Sequence, residues 1–337
     1  MQFLRPKFHF SAPRGWSNDP NGLFFDGRNY HLYYQANPEI VSYAQMNWYS
    51  MRWGHAVSTD LLHWSQCKDA LLPRPPLDGK PDCPWSGSCI VDRENVAGFG
   101  KDAVLAFFTS TARGECIAFS LDGGMTFTEY AGNPVVRHNG RDPKVFFHPA
   151  SGKWIMAVFE MVNYAAFYSS ENLRDWRFES RIHGFYECIN CFELGGKWVL
   201  MAADGSYSVG TFDGHQFEPL TRPQKLFEGT ALYAGQCFWG IPEIIVIFWF
   251  RLPHLSGAGF LNQMSLPMRL ELGAEDRIRI LPAVDVPGTM YHSPQKPLTL
   301  GSVTIPAAED IFVVEDEYSV EAFLNGGDRL FAAEKIQ

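Results

Sequence analysis

Four segments of the chain share one pattern, in which a small polar residue, an acidic residue and a tight turn are followed by a closing aromatic residue. They occupy positions 58–64, 120–127, 169–176 and 211–217. Their closing aromatics are 63, 49 and 41 residues apart, close to the roughly 40–50 residues of a four-stranded propeller blade plus insertions. With a fifth comparable unit at 233–270, the spacing predicts a five-bladed β-propeller. A generic β-sandwich with similar turns is the alternative.

Composition and local pattern both favour an all-β chain. Aromatic residues make up 15% of the 337 residues, 30 Gly and 22 Pro supply turns, and only 19% of residues are charged. Short β-branched and aromatic runs recur in pairs joined by turns, as at 26–28, 149–152 and 195–196. After about residue 283 prolines become frequent, and a final pair of strands is expected at 310–314 and 319–324. We predict a propeller over residues 1–283 and a small, truncated C-terminal β appendage over 284–337.

Charge, apolar runs and cysteine usage narrow the class of protein further. The net charge is -9 without any basic run, so no nucleic-acid partner is expected. The longest apolar run, at 244–250, fits a buried central strand and is too short to span a bilayer, so no membrane partner is expected. Seven cysteines without a repeating framework favour reduced thiols. No secretory signal is visible, which predicts a cytoplasmic protein, or a secreted one if a leader was removed.

The segment 16–22, Trp-Ser-Asn-Asp-Pro-Asn-Gly, contains the first candidate catalytic residue. Pro20 fixes its own φ and biases Asp19 toward an extended conformation. Asn21 and Gly22 tolerate positive φ and form a strong hairpin signal. We therefore expect Asp19 at a rigid strand end, where a catalytic carboxylate is well placed. A turn without chemistry is the alternative.

Two further acidic residues stand in turn-like contexts. Asp142 precedes Pro143, and Glu187 follows the apolar residues 185–186. Apolar surroundings raise the pKa of a carboxyl group, as a general acid near neutral pH requires. One such acid and one ionised carboxylate are what a retaining glycosidase needs, and inner propeller strands could bring them together. Singly, each could instead be a salt-bridged or turn-capping acid.

Together these motifs resemble glycoside hydrolase family 32, the β-fructofuranosidases, which include invertases, exo-inulinases and levanases. The family signature Trp-Met-Asn-Asp-Pro-Asn-Gly is present at 16–22 with Ser17 in place of Met. The Arg-Asp-Pro motif stands at 141–143 and the Glu-Cys motif at 187–188. Matching context at 34–38, 53–56, 85–88, 233–236 and 264–267 extends the resemblance over roughly residues 8–285.

The resemblance implies a retaining hydrolase that releases fructose from sucrose or fructans without a metal or cofactor. Asp19 would be the nucleophile, and Glu187 the general acid and then the base. Asp142 would bind fructosyl hydroxyls and stabilise the transition state. The implied substrate-binding residues are Asn18, Gln35, Trp53, Trp85, Ser86, Arg141, Cys188 and Tyr233. The expected partner is a small-molecule or oligosaccharide substrate.

The chain departs from the family pattern in three places. Ile189 and Asn190 replace the usual Pro-Asp after Glu-Cys, which could alter the orientation or pKa of Glu187. The linker at 250–257 lacks the family's Trp-rich sequence, so the leaving-group subsites could differ. The family's C-terminal β-sandwich is usually much longer than the stretch at 283–337. We hypothesise that the shortened module exposes apolar surface and supports a homo-oligomer.

Other interpretations stay open at this point. The nearest enzyme alternative is a family 43-like arabinanase or xylosidase, an inverting five-bladed propeller; fructosyl transfer and non-catalytic sugar binding are two more. Cys188 and Cys191 form a C-x-x-C pair, but no second pair at metal-ligand spacing exists in the sequence. Trp48 and Trp85 could stack on sugar rings or belong to the core. Sucrose, inulin, levan and phosphorylated sucrose are all open as substrates.

Overall fold

The fold consists almost entirely of β-strands. A computed structural model describes residues 4–292 and 296–336. Within those residues, five antiparallel four-stranded units follow one another along the chain, each with its first strand innermost. These units are the blades of a propeller, so the predicted all-β, five-bladed architecture is confirmed. No helix within the described ranges has the length and apolar character needed to cross a membrane.

The strands of the blades have the following bounds. Blade one contains β1–β4 at Gly15–Phe25, Tyr30–Asn37, Arg52–Ser58 and Ser65–Gln66. A hairpin of β5 and β6, at Arg74–Leu77 and Lys80–Asp82, connects blade one to blade two. Blade two contains β7–β10 at Pro84–Asp92, Ala103–Ser110, Gly114–Ser120 and Thr128–Glu129. Blade three contains β11–β14 at Gly140–His148, Lys153–Glu160, Tyr164–Ser170 and Arg177–His183. Blade four contains β15–β18 at Asn190–Leu194, Lys197–Met201, Ser206–Phe212 and Phe217–Pro219.

The remaining strands complete the ring and the C-terminal sheet. The short β19 and β20 lie at Gln224–Lys225 and Phe227–Glu228. The segment of blade five comprises β21–β26 at Leu232–Cys237, Ile245–Phe250, Phe260–Leu261, Gln263–Met264, Met268–Leu272 and Ile278–Pro282. The C-terminal strands β27–β32 are Thr289–His292, Leu298–Leu300, Val303–Ile305, Asp310–Glu315, Ser319–Leu324 and Arg329–Glu334. Short 3₁₀ helices lie at Tyr43–Gln45, Trp48–Ser50, Ala274–Asp276 and Asn325–Gly327.

The apolar runs of the sequence are strands that lie between two neighbouring blades. In β8, Val104 and Phe108 pack in the layer between blades one and two, whereas Leu105 and Phe107 pack in the layer between blades two and three. Alternate residues point to opposite faces, and both faces are covered, so residues 103–108 of this strand are all apolar. The same reason explains the run at 244–250, of which residues 245–250 form β22 and are all buried.

The four aromatic-closed turns all connect the third and fourth strands of a blade. In the second of them, the Asp122 carboxylate accepts hydrogen bonds from the Ser120 hydroxyl (2.6 Å) and the Thr126 N–H (2.9 Å). Such side-chain-to-backbone bonds close a tight turn without a partner strand. The repeat therefore marks equivalent positions in blades one to four.

Blade five closes the ring on blade one by backbone pairing. The short β23 runs parallel to the start of β1, with Gly15 opposite Phe260. The predicted hairpin at residues 21–22 is wrong, because β1 continues to Phe25 and the chain reverses at 26–29. Gly22 does adopt a positive φ of +52°, but within a second irregularity of β1 rather than in a turn.

The C-terminal sheet packs one face on blades four and five. Val314 and Phe323 belong to that layer, whereas Ile311 and Val313 pack beneath the hairpin of β28 and β29. Residues 227–228 pair in parallel with β32, so the proposed division at 283/284 passes through a shared sheet and stays a prediction.

The expectation of a large apolar surface on the C-terminal module finds little support. Among its described residues, only Met290 and Ile336 are exposed large hydrophobic side chains. The homo-oligomer stays a prediction, and a monomer in sedimentation at micromolar concentration would contradict it.

Candidate active site

The inner strands of four blades carry the same irregularity, one extra residue relative to the partner strand. In β1, Ser17 lies opposite Ala36 of β2 and Pro20 lies opposite Tyr34, so β1 advances by three residues where β2 advances by two. Equivalent shifts lie between Pro84 and Gly87, between Arg141 and Lys144, and between Tyr233 and Gln236. A β-bulge of this kind re-aims the side chains that it contains. Asp19 and Asp142 therefore lie in bulges inside strands, and the predicted turns at these positions are wrong.

Part of the site backbone has the left-handed conformation. Asp142, Glu187 and Cys188 have φ angles of +66°, +54° and +43°. Residues with a Cβ rarely adopt such angles, and those that do concentrate at functional sites. The contacts around residues 142 and 187–188 must therefore hold a conformation that is unfavourable on its own.

These inner strands surround one pocket of about 460 Å³. Its walls combine three carboxylates, two guanidinium groups and several aromatic rings. The lining residues are Asn18, Asp19, Gln35, Trp48, Trp85, Ser86, Arg141, Asp142, Glu187, Tyr233, Trp249 and Arg251. A pocket of this size and character suits a small polar ligand.

Asp19 and Asp142 are linked by the thiol between them. Ser86 Oγ donates a hydrogen bond to Asp19 Oδ2 at 2.7 Å. Cys188 Sγ lies 3.8 Å from Asp19 Oδ2 and 3.7 Å from Asp142 Oδ2, and the Cys188 N–H donates to Asp142 Oδ2 at 3.3 Å. Burial raises the pKa of the Cys188 thiol well above its ordinary value. The thiol is therefore neutral and serves as a donor between the two carboxyl groups.

Glu187 has polar rather than apolar surroundings. Its Oε1 pairs with the Arg141 guanidinium, and its Oε2 accepts a hydrogen bond from the Tyr233 hydroxyl at 2.6 Å. The preceding Tyr186 is exposed and does not line the pocket. The expected apolar environment is wrong because residues 187–188 precede β15 in a left-handed segment, which turns Glu187 toward blades three and five.

Desolvation by the surrounding protein is the main cause of raised pKa values for both Asp19 and Asp142. For Asp19, hydrogen bonds from Ser86 and Asn18 oppose this rise in pKa, and the charge of Glu187 adds to it. The pKa of Asp142 lies well above its ordinary value. The charge of Asp19 raises this pKa further, whereas the charge of Arg141 lowers it. Of the two carboxyl groups, Asp142 therefore holds its proton more strongly than Asp19.

The sequence-predicted residues mostly meet at this pocket. Nine of the eleven line it. Trp53 and Cys188 do not, although Cys188 contacts the carboxyl groups of Asp19 and Asp142, which do. Trp53 is fully buried, and its Nε1 donates to the Trp85 carbonyl at 2.9 Å, so it supports the wall instead of reaching a ligand. The roles of all eleven residues stay predictions.

Three lining residues were not among the predicted site residues. Trp48, left open between sugar stacking and core, is 45% exposed at the pocket rim. Trp249 lies in β22, whose sequence has only the signal of a core strand. The Arg251 guanidinium carbon lies 5.1 Å from the Tyr233 ring centroid and 5.7 Å from that of Trp249. The only sequence signal for this part of the pocket wall was the unusual linker at 250–257.

Asn190, which departs from the family pattern, ties the Glu187 segment to blade five. Its Nδ2 donates to the carbonyls of Cys188 (3.0 Å) and Gly235 (2.8 Å), and its Oδ1 accepts from the Cys237 N–H (3.1 Å). An ionised aspartate has no donor for those carbonyls. The amide therefore suits this position in the present chain.

The cysteines show no paired or clustered arrangement. All seven are free, and Cys191 packs in the core between blades three and four while Cys188 faces the site. Among the described residues, no group of three or more His, Cys, Asp or Glu side chains is arranged to hold a metal ion.

Ser86→Ala is expected to move the acidic limb of the pH profile of kcat/KM to higher pH. The Ser86 hydroxyl stabilises ionised Asp19, so its loss raises the pKa of Asp19 further and reduces the ionised fraction at a given acidic pH. The pH profile of kcat/KM should be measured for both proteins from about pH 4 to 8. A limb that does not move would contradict this use of the hydroxyl.

The fold and the site define a five-bladed propeller with a glycosidase-type carboxylate pocket. The family model "Glycosyl hydrolases family 32 N-terminal domain" matches residues 9–282. The chain belongs to this family.

Relatives of known activity support the same family. Invertase 1 of Saccharomyces cerevisiae is 36% identical over 274 residues, which cover 70% of this chain and 50% of the invertase. Levanase of Bacillus subtilis is 37% identical over 276 residues, which cover 71% of this chain and 39% of the levanase. The chain therefore spans half or less of the length of these curated relatives.

Solved structures show the same fold. A fructofuranosidase from Schwanniomyces occidentalis, complexed with fructosylnystose, aligns with a TM-score of 0.84 at 23% identity, covering 100% of this chain and 92% of that chain. Exo-inulinase from Aspergillus awamori aligns with a TM-score of 0.83 at 23% identity, covering 98% and 92%.

Proposed function

We propose that the chain is a retaining glycoside hydrolase that releases fructose from β-fructosides, either sucrose or fructans. The observation that carries this proposal is the meeting of Asp19, Asp142 and Glu187, from three different blades, at one pocket. Membership of family 32 and relatives named invertase and levanase support it.

The contacts of the site fit a double displacement. Asp19, held by Ser86, attacks C2 of the fructosyl unit while the bond from C2 to the leaving oxygen breaks and Glu187 gives that oxygen its proton. Glu187 then takes a proton from water, whose oxygen attacks C2 and releases the Asp19 carboxylate. Arg141 and Tyr233 hold the two oxygens of Glu187 in place for both steps.

Asp142 has a separate role in this scheme. A protonated Asp142 can donate a hydrogen bond to a fructosyl hydroxyl without adding negative charge next to Asp19. An oxygen of the same carboxyl group can accept a hydrogen bond from another fructosyl hydroxyl. That bond strengthens as positive charge on the sugar ring makes the hydroxyl a better donor, which would lower the barrier to the first step.

The direct test is a substrate panel followed by NMR of the first product. We expect fructose release from at least one of sucrose, inulin, levan and phosphorylated sucrose, with the anomeric configuration retained. Inversion, or activity only on arabinan or xylan oligomers, would instead support the family 43-like alternative. Transfer of fructose to a second sugar would identify a fructosyltransferase, and sugar binding without turnover would identify a binding protein.

A further inference from the structure

The bulge that contains Asp142 is held by two buried hydroxyl groups of blade two. The Asp142 N–H lies outside the regular ladder of β11 and donates to Thr109 Oγ1 at 2.8 Å. Ser88 Oγ donates to the Pro143 carbonyl at 2.9 Å and accepts from the Val145 N–H at 2.9 Å. These bonds hold the backbone at Asp142 and directly after it.

Thr109 is itself oriented by a buried glutamate that contacts a histidine. Its hydroxyl donates to Glu115 Oε2 at 2.8 Å, and Glu115 Oε1 contacts His138 Nε2 at 2.7 Å. The side chains of Glu115 and His138 are 0% and 3% exposed. A threonine hydroxyl has one proton, and Glu115 accepts it, so a lone pair of Oγ1 is left facing the Asp142 N–H.

We propose that Thr109, oriented by Glu115 and His138, is a positioning residue that holds Asp142 in its left-handed conformation. None of these three side chains lines the pocket. The effect reaches the site through Asp142, whose carboxyl group contacts the N–H and thiol of Cys188, next to Glu187. The consequence for turnover rests on the proposed function, whereas the consequence for the conformation of Asp142 does not.

The test compares Thr109→Val, which keeps the shape but removes the hydroxyl, with Thr109→Ser, which keeps the hydroxyl. Ser265→Ala is the matched control, since it removes a buried hydroxyl that accepts the Phe248 N–H at 3.0 Å in blade five. We expect Thr109→Val to lower kcat by about 10- to 100-fold with little change in KM, because Asp142 would be misplaced in the transition state. Thr109→Ser should restore most of kcat, and Ser265→Ala should leave kcat unchanged.

A second measurement does not depend on turnover. In ¹⁵N-labelled protein, Thr109→Val should shift the amide resonances of Asp142 and Cys188 strongly, while Thr109→Ser and Ser265→Ala should shift them little. If Thr109→Val keeps the wild-type kcat and shifts these amides no more than the control does, the proposal is overturned and the proposed function stands. If the wild-type chain has no activity, the proposed function fails, and the amide shifts alone decide the positioning role.

Glu115→Gln tests the orientation of the hydroxyl without changing side-chain size. An amide can present either its oxygen or its NH₂ group to Thr109, so the hydroxyl loses its fixed direction. We expect a loss of kcat in the same direction as for Thr109→Val but smaller, with the same two amides shifted. Unchanged kcat and unchanged amide resonances would remove Glu115 and His138 from the proposal.

Discussion

Replacing Asp19 by Asn is expected to lower kcat for fructose release by about 10⁴-fold or more, because the variant lacks the nucleophile of the first step. The amide has nearly the shape of the carboxylate, and Ser86 can still donate to its oxygen, so folding should be preserved. The measurement is single-turnover and steady-state fructose release on the best substrate of the panel. Activity within about tenfold of wild type would show that Asp19 is not the nucleophile.

Glu187→Gln provides the complementary variant in the same experiment. It removes the proton donor but keeps hydrogen-bonding contacts with Arg141 and Tyr233, and we expect kcat to fall by about 10²–10⁴-fold. Glu193→Gln is the matched control, since Glu193 is an exposed residue of β15 outside the pocket. If the control lost as much activity as Glu187→Gln, the loss would reflect folding and not proton transfer.

The second large effect concerns stability: His9→Leu is expected to lower the free energy of unfolding by about 3–5 kcal/mol. His9 lies before β1, and its imidazole bridges two carboxylates next to the C-terminal sheet, Asp316 at 2.7 Å and Glu321 at 3.1 Å. All three side chains are fully buried. Leucine would fill the space but leave two buried carboxylates without their cation. Denaturant-induced unfolding of both proteins near pH 7 measures the difference.

The same cluster predicts how stability depends on pH. Burial lowers the pKa of His9, but Glu321 and Asp316 raise it more strongly, from 6.5 to about 9. Because the folded pKa lies above the unfolded one, the stabilisation is complete below pH 6.5 and is lost as pH rises through about 9. Burial raises the pKa of Asp316, but the hydrogen bond and charge of His9 lower it to about 2, so its contribution is lost as pH falls from 3.8 toward 2.

The control for the stability experiment is His292→Ala. His292 pairs with Asp310 at 2.9 Å in the C-terminal sheet, but both side chains are more than half exposed. We expect little loss of stability from this variant, since exposed pairs contribute little. His9→Leu should also flatten the fall in stability between about pH 6.5 and 9. A variant that kept the wild-type slope there would show that His9 is not the group that titrates.

Several elements of this protein follow from its sequence because they depend on local physics. The aromatic-closed turns mark blades, since each is closed by its own side chains, as Asp122 shows. The apolar runs predict strands buried on two faces, and the three acidic motifs identify carboxylates that the fold then brings together. Nine of the eleven predicted site residues line the pocket, and all of these except Gln35 lie at or just before the start of an inner strand.

Other features were decided only by tertiary structure. A bulge depends on the register between two strands, which the sequence of one strand does not show. The sequence therefore predicted turns at Asp19 and Asp142, although both residues lie inside strands. Trp249 lines the pocket because this part of β22 reaches it. No periodicity in a fully apolar strand indicates which residue that will be. The environment of Glu187 likewise comes from Arg141 and Tyr233, on two other blades. The sequence by itself therefore determined the blades and the identity of the catalytic candidates. Contacts between blades decided the orientation of each site side chain, its hydrogen-bond partners and its electrostatic surroundings.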